Sequence, residues 1–331
     1  MTKISLIGIS PISLSFALAT KNLSPQPFVS AYSDNQKLFE QVKHLNVIDN
    51  GTNNLEKAVE DTNLIVIDSS ISEIKSQFEQ LKSLVKNYCM ITDFSHSKKR
   101  IETWATEILP ENFCYIAARP LIKKEIPELV NSNPDMFKGI RYCIMESEKS
   151  DKDGIEWFIK FIELLGCKPY FLDIHEHDSY TAGIDILLPI ISSTIINSLS
   201  KSDSWPEMRK FVTHEFEKQT DLANRDPIDT EINSITSSQP LIHWLDQTIK
   251  SLYEIRNSID QNSDDLLNLL IDAWEVKGKI FAGIDEDIPQ HVELPSSSQS
   301  IASAMFGAKL ASRMTDHGDK NLRKSWEYPR K

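Results

Sequence analysis

The opening stretch constrains this chain more than any other. Lys3 to Thr20, KISLIGISPISLSFALAT, reads as a buried strand over Ile4-Ser5-Leu6-Ile7, a tight turn at Gly8, and an apolar helix through Leu14, Phe16 and Leu18. A strand that feeds a helix across a glycine turn is how a dinucleotide-binding domain begins. Glycines there serve the turn, the approach of backbone to the pyrophosphate, and close helix–strand packing. In this chain those places hold Gly8, Ser10 and Ser13, so the scaffold is present while the second and third glycines are replaced. These three residues, with Asp34 (or its neighbour Ser33) after the second strand and Ser69 after the fourth, are the candidate positions for holding NAD or NADP.

The rest of the N-terminal half repeats the alternation. Strand-like runs at 27–32, 64–68, 89–92, 113–118, 141–145 and 169–172, with a short segment at 46–48, are interleaved with helical runs at 36–44, 55–61, 71–85, 99–109 and 154–165. Ile71, Ile74, Phe78 and Leu81, for example, recur at helical spacing. Such alternation means βαβ units and a mostly parallel sheet. From Ile174 strand signals stop and helical runs follow at 179–199, 205–222, 227–234, 240–259 and 263–281. The expected fold class is α/β: a Rossmann-like, mostly parallel sheet domain at 1–173, then an all-helical domain at 174–284. Residues 285–331 read as a Pro/Ser-rich linker with an amphipathic, basic tail. Ile184 to Ile196 is apolar on nearly every side, which suits a helix buried at the centre of a homodimer.

Composition narrows the function classes. A formal net charge of −12 argues against sequence-independent nucleic-acid binding, which needs a basic surface. No apolar run is read as approaching the roughly 18–20 residues of a membrane span, so no membrane is expected and a cytoplasmic setting is. Cys89, Cys114, Cys143 and Cys167 each sit in an apolar, strand-like run and read as buried, reduced thiols.

A series of short motifs then follows in a telling order. It comprises the Gly8 turn, Thr92-Asp93 with Lys98, Arg119-Pro120-Leu121 with Lys124-Glu125, and Leu165-Gly166-Cys167-Lys168-Pro169. His177-Asp178 with Ala182-Gly183, and Trp205-Pro206-Glu207-Met208-Arg209-Lys210, complete it. In order and spacing the chain resembles the prephenate/arogenate dehydrogenase family of tyrosine biosynthesis, from Lys3 to about Gly283. The resemblance implies a nucleotide-binding domain, a helical domain that dimerises, and oxidation of a ring-bearing carboxylic acid with NAD or NADP, driven by loss of carbon dioxide. That chemistry needs a base or hydrogen-bond acceptor at the ring hydroxyl, cations for the carboxylates, and a nicotinamide held over the ring.

Several positions depart from the family pattern. His96 stands where the family has a serine, Arg119 where it has a histidine, and Asp185-Ile186-Leu187-Leu188-Pro189 where it places a further histidine. The family's carboxylate-binding arginine falls near Ser234. His96 as base, Arg119 as carboxylate anchor, Lys124 and His177 are therefore the candidate catalytic residues. Each also has a plainer reading: His96 as a solvated or capping side chain, and Arg119 and Lys124 as ion-pair partners of Glu125 and Glu128. The run His175-Glu176-His177-Asp178 reads as a turn in which Asp178 caps the following helix, because adjacent residues rarely converge on one metal ion. Three functions stay open: a dehydrogenase with a reworked site, a non-catalytic dimeric scaffold, and a non-redox enzyme acting on a small carboxylic acid.

Overall fold

A computed structural model of the protein describes residues 2–263 and 265–282, so the tail read at 285–331 lies outside the described residues. The N-terminal elements are β1 (Lys3–Ile7), α1 (Pro11–Lys21), β2 (Phe28–Tyr32), α2 (Lys37–Val42), β3 (Asn50–Thr52) and α3 (Leu55–Ala58). They continue with β4 (Leu64–Ile67), α4 (Ile71–Leu84), β5 (Cys89–Asp93), α5 (Lys98–Ile108) and β6 (Phe113–Tyr115). These six strands form one sheet in the order β3-β2-β1-β4-β5-β6, every neighbouring pair parallel, with Ile4 of β1 in register with Val29 of β2 and Leu64 of β4. This is the doubly wound order in which ligands bind beyond the carboxyl ends of the strands, where the order reverses between β1 and β4.

Both faces of the sheet are covered, as a parallel sheet requires. Side chains alternate along each strand. Ile4, Leu6, Leu64 and Val66 pack on one face with Phe16 of α1, while Ile7, Ile65 and Ile67 pack on the other with Phe78 of α4. Phe16 meets Phe94, Phe137 and Phe161 edge-on at 5.8, 5.5 and 5.9 Å between ring centres. The four cysteines are free and buried.

A second sheet follows: β7 (Ala117–Pro120), β8 (Arg141–Met145), then α6 (Lys152–Leu164) and β9 (Lys168–Phe171). Its strand order is β7-β8-β9, with β7 antiparallel and β9 parallel to β8. The run 113–118, read as one strand, therefore divides at Ile116. Its first half completes the parallel sheet and its second half pairs with β8, which carries Arg119 away from the first sheet. In the short segment 46–48 Asn46 turns the chain with φ +48°, and the third strand forms four residues later at Asn50.

From Ile174 the described chain is helical: α7 (Ile174–Thr181), a π-helical turn at Ala182–Ile186, α8 (Leu187–Ser200), α9 (Trp205–Met208), α10 (His214–Thr220), α11 (Pro227–Thr236), α12 (Ser238–Asp260) and α13 (Asp265–Ala282). The run 205–222 is not one helix. Thr213 is extended and its hydroxyl accepts the Phe216 N–H at 3.4 Å, so α10 starts afresh there. The described residues fall into two compact units that divide between Ser251 and Leu252, so the helices up to Ser251 share a unit with both sheets.

One reading of the sequence needs correction here. Joined through the π turn, α7 and α8 make a rod, Ile174–Ser200, of 27 residues with mean hydropathy 1.6 over its most apolar window. By length and composition alone that rod could cross a membrane, and the expectation that no run reaches this length does not hold.

Candidate active site and nucleotide cradle

The site is framed by a buried ion pair. Asp93 ends β5, and its Oδ1 accepts from Lys98 Nζ at 2.7 Å and from the Ser95 N–H at 2.9 Å. Its Oδ2 accepts from the Tyr115 hydroxyl at 2.8 Å. Lys98 is 0% exposed and also donates to the Asp93 carbonyl at 2.7 Å. Burial pushes the Lys98 ammonium down while Asp93 opposes it. Charges so enclosed are tolerated because each has a close partner and further hydrogen bonds. The frame fixes the loop 94–97 between β5 and α5.

Asp178 locks the same corner from the helical side. Its carboxylate accepts the backbone N–H of Lys98 at 2.8 Å and of Lys99 at 2.9 Å, so it caps α5 and not its own helix. The cap of α7 is Asp173, which accepts from the N–H groups of His175 and Glu176 at 2.8 and 3.2 Å. His177 sets its Nδ1 2.9 Å from Asp178 Oδ1. The ring is 2% exposed, and burial, with the Lys98 and Arg119 cations, pushes its pKa below the usual histidine value against the pull of Asp178. A neutral ring donating from Nδ1 to Asp178 fits this environment, with Nε2 buried and unpartnered.

His96 sits on the fixed loop with about a third of its side chain exposed. Its Nδ1 is buried without a hydrogen-bond partner and lies 3.7 Å from Asp185 Oδ2, beyond hydrogen-bond range. Burial pushes the imidazole pKa down, the Arg119 cation adds to this, and Asp185 opposes it. Arg119, carried on β7, donates from Nη1 to Thr181 Oγ1 at 3.1 Å and from Nη2 to Asp185 Oδ2 at 2.9 Å. It is thus paired with Asp185, and not with Glu125 or Glu128. Burial pushes the Asp185 carboxyl up, but the neighbouring His96 and Arg119 outweigh it and hold the group well below the ordinary carboxylate range.

The π turn aims Asp185. Such turns interrupt α-helices most often at functional sites. Gly183 lies within this one, and a Cβ there would come 2.9 Å from the Trp244 indole, whose N–H donates to the Ser179 carbonyl at 2.8 Å.

His96 and Asp185 open onto a cavity of about 300 Å³ lined also by Pro189, Arg225, Asp229 and Asn233 among others, with Arg119 behind Asp185 and outside the lining. Of the candidate catalytic residues, the structure brings together His96 and Arg119. His177 lies just behind them through Asp178 and does not line the cavity. Lys124 is not part of the site: its ammonium donates to the Asp135 carbonyl at 2.6 Å on an exposed surface. Asp185 and Arg225 were not singled out from the sequence. An acid inside the apolar run AGIDILLP was the available signal for Asp185; Arg225, beside a plain Asp-Pro helix opening, gave none. Among the described residues no group of three or more His, Cys, Asp or Glu side chains is placed to hold a metal ion.

A second cavity, about 330 Å³, lies beyond the carboxyl ends of β1, β2 and β4 and is lined by Gly8, Tyr32, Asp34, Ser69, Glu73 and Gln77 among others. Gly8 has φ +93°, and a Cβ there would fall 2.1 Å from the Asp68 carbonyl oxygen, so only glycine makes this turn. Asp34 is the acidic group at the end of β2, and it accepts from the Tyr32 hydroxyl at 2.6 Å, which with burial pushes the Tyr32 pKa up to about 12. An acid at this place is what a dinucleotide's ribose hydroxyls require. The pyrophosphate half fits less well. Ser10 Oγ accepts the N–H groups of Ile12 and Ser13 at 3.0 and 3.4 Å, and Pro11 has no N–H to offer. Ser13 Oγ accepts the Ser10 N–H at 2.9 Å, which closes a reciprocal capping box over the helix end. The glycine-replacing serines thus consume the donors that would otherwise meet an anion.

Comparison with known proteins gives a consistent answer. The family model described as prephenate dehydrogenase, nucleotide-binding domain, matches residues 16–171. The chain is 21% identical over 316 residues to a prephenate dehydrogenase of Bacillus subtilis (91% of this chain, 85% of that protein). It is 23% identical over 294 residues to a cyclohexadienyl dehydrogenase of Zymomonas mobilis (86% and 97%). Its fold is similar to the crystal structure of prephenate dehydrogenase from A. aeolicus in complex with hydroxyphenyl propionate and NAD+, at a TM-score of 0.75 and 18% identity over 85% of this chain and 98% of that one.

Proposed function

We infer that the chain belongs to the prephenate/arogenate dehydrogenase family, and on that premise we propose that it is an NAD-dependent oxidoreductase of a cyclohexadienyl carboxylic acid whose base is His96. The observation that carries this reading is the His96 imidazole, pushed toward its neutral form by burial and Arg119, on the lining of a cavity beside an Arg–Asp pair. A base for this step must be unprotonated near neutrality and able to accept; burial and Arg119 favour the neutral His96 ring, which lies beyond hydrogen-bond range of Asp185. The lining of the second cavity, with the acid Asp34 and without lysine or arginine, favours NAD over NADP. Bound there, a nicotinamide dinucleotide supplies the hydride acceptor.

The residues of the chain then have distinct tasks. Arg225 anchors a substrate carboxylate. His96 takes the proton of the ring hydroxyl as the ring carbon gives up hydride, and returns it to the phenolate oxygen formed when carbon dioxide leaves. Arg119 and Asp185 hold each other and set the field in which the imidazole stays neutral. Three carboxylates, Asp185, Asp226 and Asp229, line the cavity with the single guanidinium of Arg225. That balance suits arogenate, which carries an ammonium group, over prephenate, which has a neutral keto group in its place and no cation.

Homodimerisation through the helices and a cytoplasmic setting belong to the same proposal. Apolar side chains such as Ile184, Ile228, Ile235 and Ile242 stand exposed on α8 and its neighbours, and 22% of the apolar window of the long rod is buried inside the chain. A second copy would cover them, and free thiols suit a reducing compartment.

One observation favours a second reading, a non-catalytic scaffold: the self-capped N-terminus of α1. The two readings separate in an assay of NADH formation from arogenate and from prephenate. NAD-dependent turnover, faster with arogenate, is expected; no turnover of either acid would leave the scaffold.

A further inference from the structure

Of the three carboxylates that line the first cavity, two are already committed. Asp185 Oδ2 is held by Arg119 at 2.9 Å. Asp226 Oδ1 accepts the backbone N–H groups of Ile228 and Asp229 at 2.8 and 3.4 Å, and so caps α11. The side-chain partner of Asp229 is neutral: its Oδ1 accepts the Ser70 hydroxyl at 2.5 Å. That bond fixes the direction of the carboxylate and leaves its charge for a ligand. A hydroxyl has one proton to give. Ser70 Oγ lies 2.9 Å from Ser72 Oγ, and with its own proton on Asp229 it accepts the one from Ser72. Ser70 stands in the turn between β4 and α4, and its neighbour Ser69 lines the second cavity. Asp229 is thus held in place from the nucleotide side of the molecule.

We propose that Asp229 selects the substrate by taking the ammonium of an amino-acid head group, and that Ser70 is the positioning residue that aims it. This rests on the dehydrogenase reading above. Arg225 and Asp229 stand on either side of the Asp226 cap at the start of α11, and both line the cavity. A guanidinium and a carboxylate so placed match the two opposite charges of an amino-acid head, its carboxylate to Arg225 and its ammonium to Asp229. A keto acid gives Asp229 no donor and leaves a carboxylate unpaired against a bound anion. Selection therefore comes from the unpaired charge as much as from the bond formed.

The test is the ratio of kcat/KM for arogenate to that for prephenate, at saturating NAD+, in the wild-type chain and in variants of both residues. Asp229→Asn and Asp229→Ser are each expected to lower the ratio about tenfold or more, with the loss in the arogenate KM and not in kcat. Ser70→Ala should lower it by a smaller factor, again through KM. Ser70→Thr, which keeps the hydroxyl, should restore it, a rescue that a purely packing role would not show. Titration with L-tyrosine and with 3-(4-hydroxyphenyl)propionate, which differ only in the ammonium, makes the same comparison without turnover. The wild type should prefer tyrosine, and the Asp229 variants should lose that preference. A wild-type ratio in both Asp229 variants, or an equal loss for both acids, would overturn this inference and leave the dehydrogenase reading standing. A wild-type ratio in Ser70→Ala would overturn the role of Ser70. No turnover of either acid by the wild type would overturn the dehydrogenase reading and this inference with it.

Discussion

His96 and His177 are both held neutral in the folded protein, and this has a consequence for acid stability. Burial is the main cause in each case, and each pKa lies below the ordinary value of 6.5. Below pH 6.5 the unfolded chain takes up protons that the folded chain refuses, so stability falls as pH drops through that value. Asp185 acts in the same direction at lower pH: its depressed pKa contributes stability above the ordinary carboxylate value that is lost on acidification. The melting temperature is therefore expected to decline between pH 7 and 5, and His177→Gln to flatten that slope. An unchanged slope in the variant would mean that the ring is charged when folded. Lys98 offers a harder test of the frame beneath the site. Lys98→Met leaves Asp93 buried without its cation, a loss of about 3–5 kcal/mol in denaturant unfolding. A loss well under 1 kcal/mol would show that the pair does not hold the loop.

Among the elements, the π turn and α5 show why part of the site was hidden in the sequence. Apolar periodicity and the strand–turn–helix opening made the parallel sheet legible, because strands buried on both faces write themselves as apolar runs. The same signals said nothing of Asp178, whose cap on α5 joins residues 80 positions apart. They said nothing of Asp185 either, since a partner for Arg119 66 residues away is a product of tertiary packing. The division of 113–118 between two sheets was equally silent, because both halves are equally apolar. His96 and Arg119 were legible as departures from a family pattern, and Gly8 as a glycine at a turn only glycine makes. Gly183 carries a prediction at this scale. In Gly183→Ala the new methyl would press on the Trp244 indole at 2.9 Å. Overpacking of that kind costs about 1–3 kcal/mol, against a gain of about 1 kcal/mol in helix propensity. A net loss of stability, with lower turnover because Asp185 shifts, is the expected result; a gain in stability would mean that Trp244 moves freely aside.

At the level of the whole molecule, the proposed function gives the two cavities different halves of one reaction. The first holds acid–base groups, and the second holds the acid and the glycine turn of a dinucleotide site. The exposed isoleucines of the helical region suggest what the single chain leaves unfinished: Ile184 is 68% and Ile235 67% exposed. Sedimentation should give twice the chain mass, and Ile184→Asp should shift the protein toward the monomer. A wild-type monomer at micromolar concentration would remove the dimer from the account. The central claim is that His96 is the base, and it is tested most directly by the turnover number of His96→Asn with saturating NAD+ and arogenate at pH 8. A fall of roughly 10²–10⁴-fold is expected, with the affinity for NAD+ unchanged. Turnover equal to that of the wild type would contradict the assignment and move the base elsewhere in the cavity.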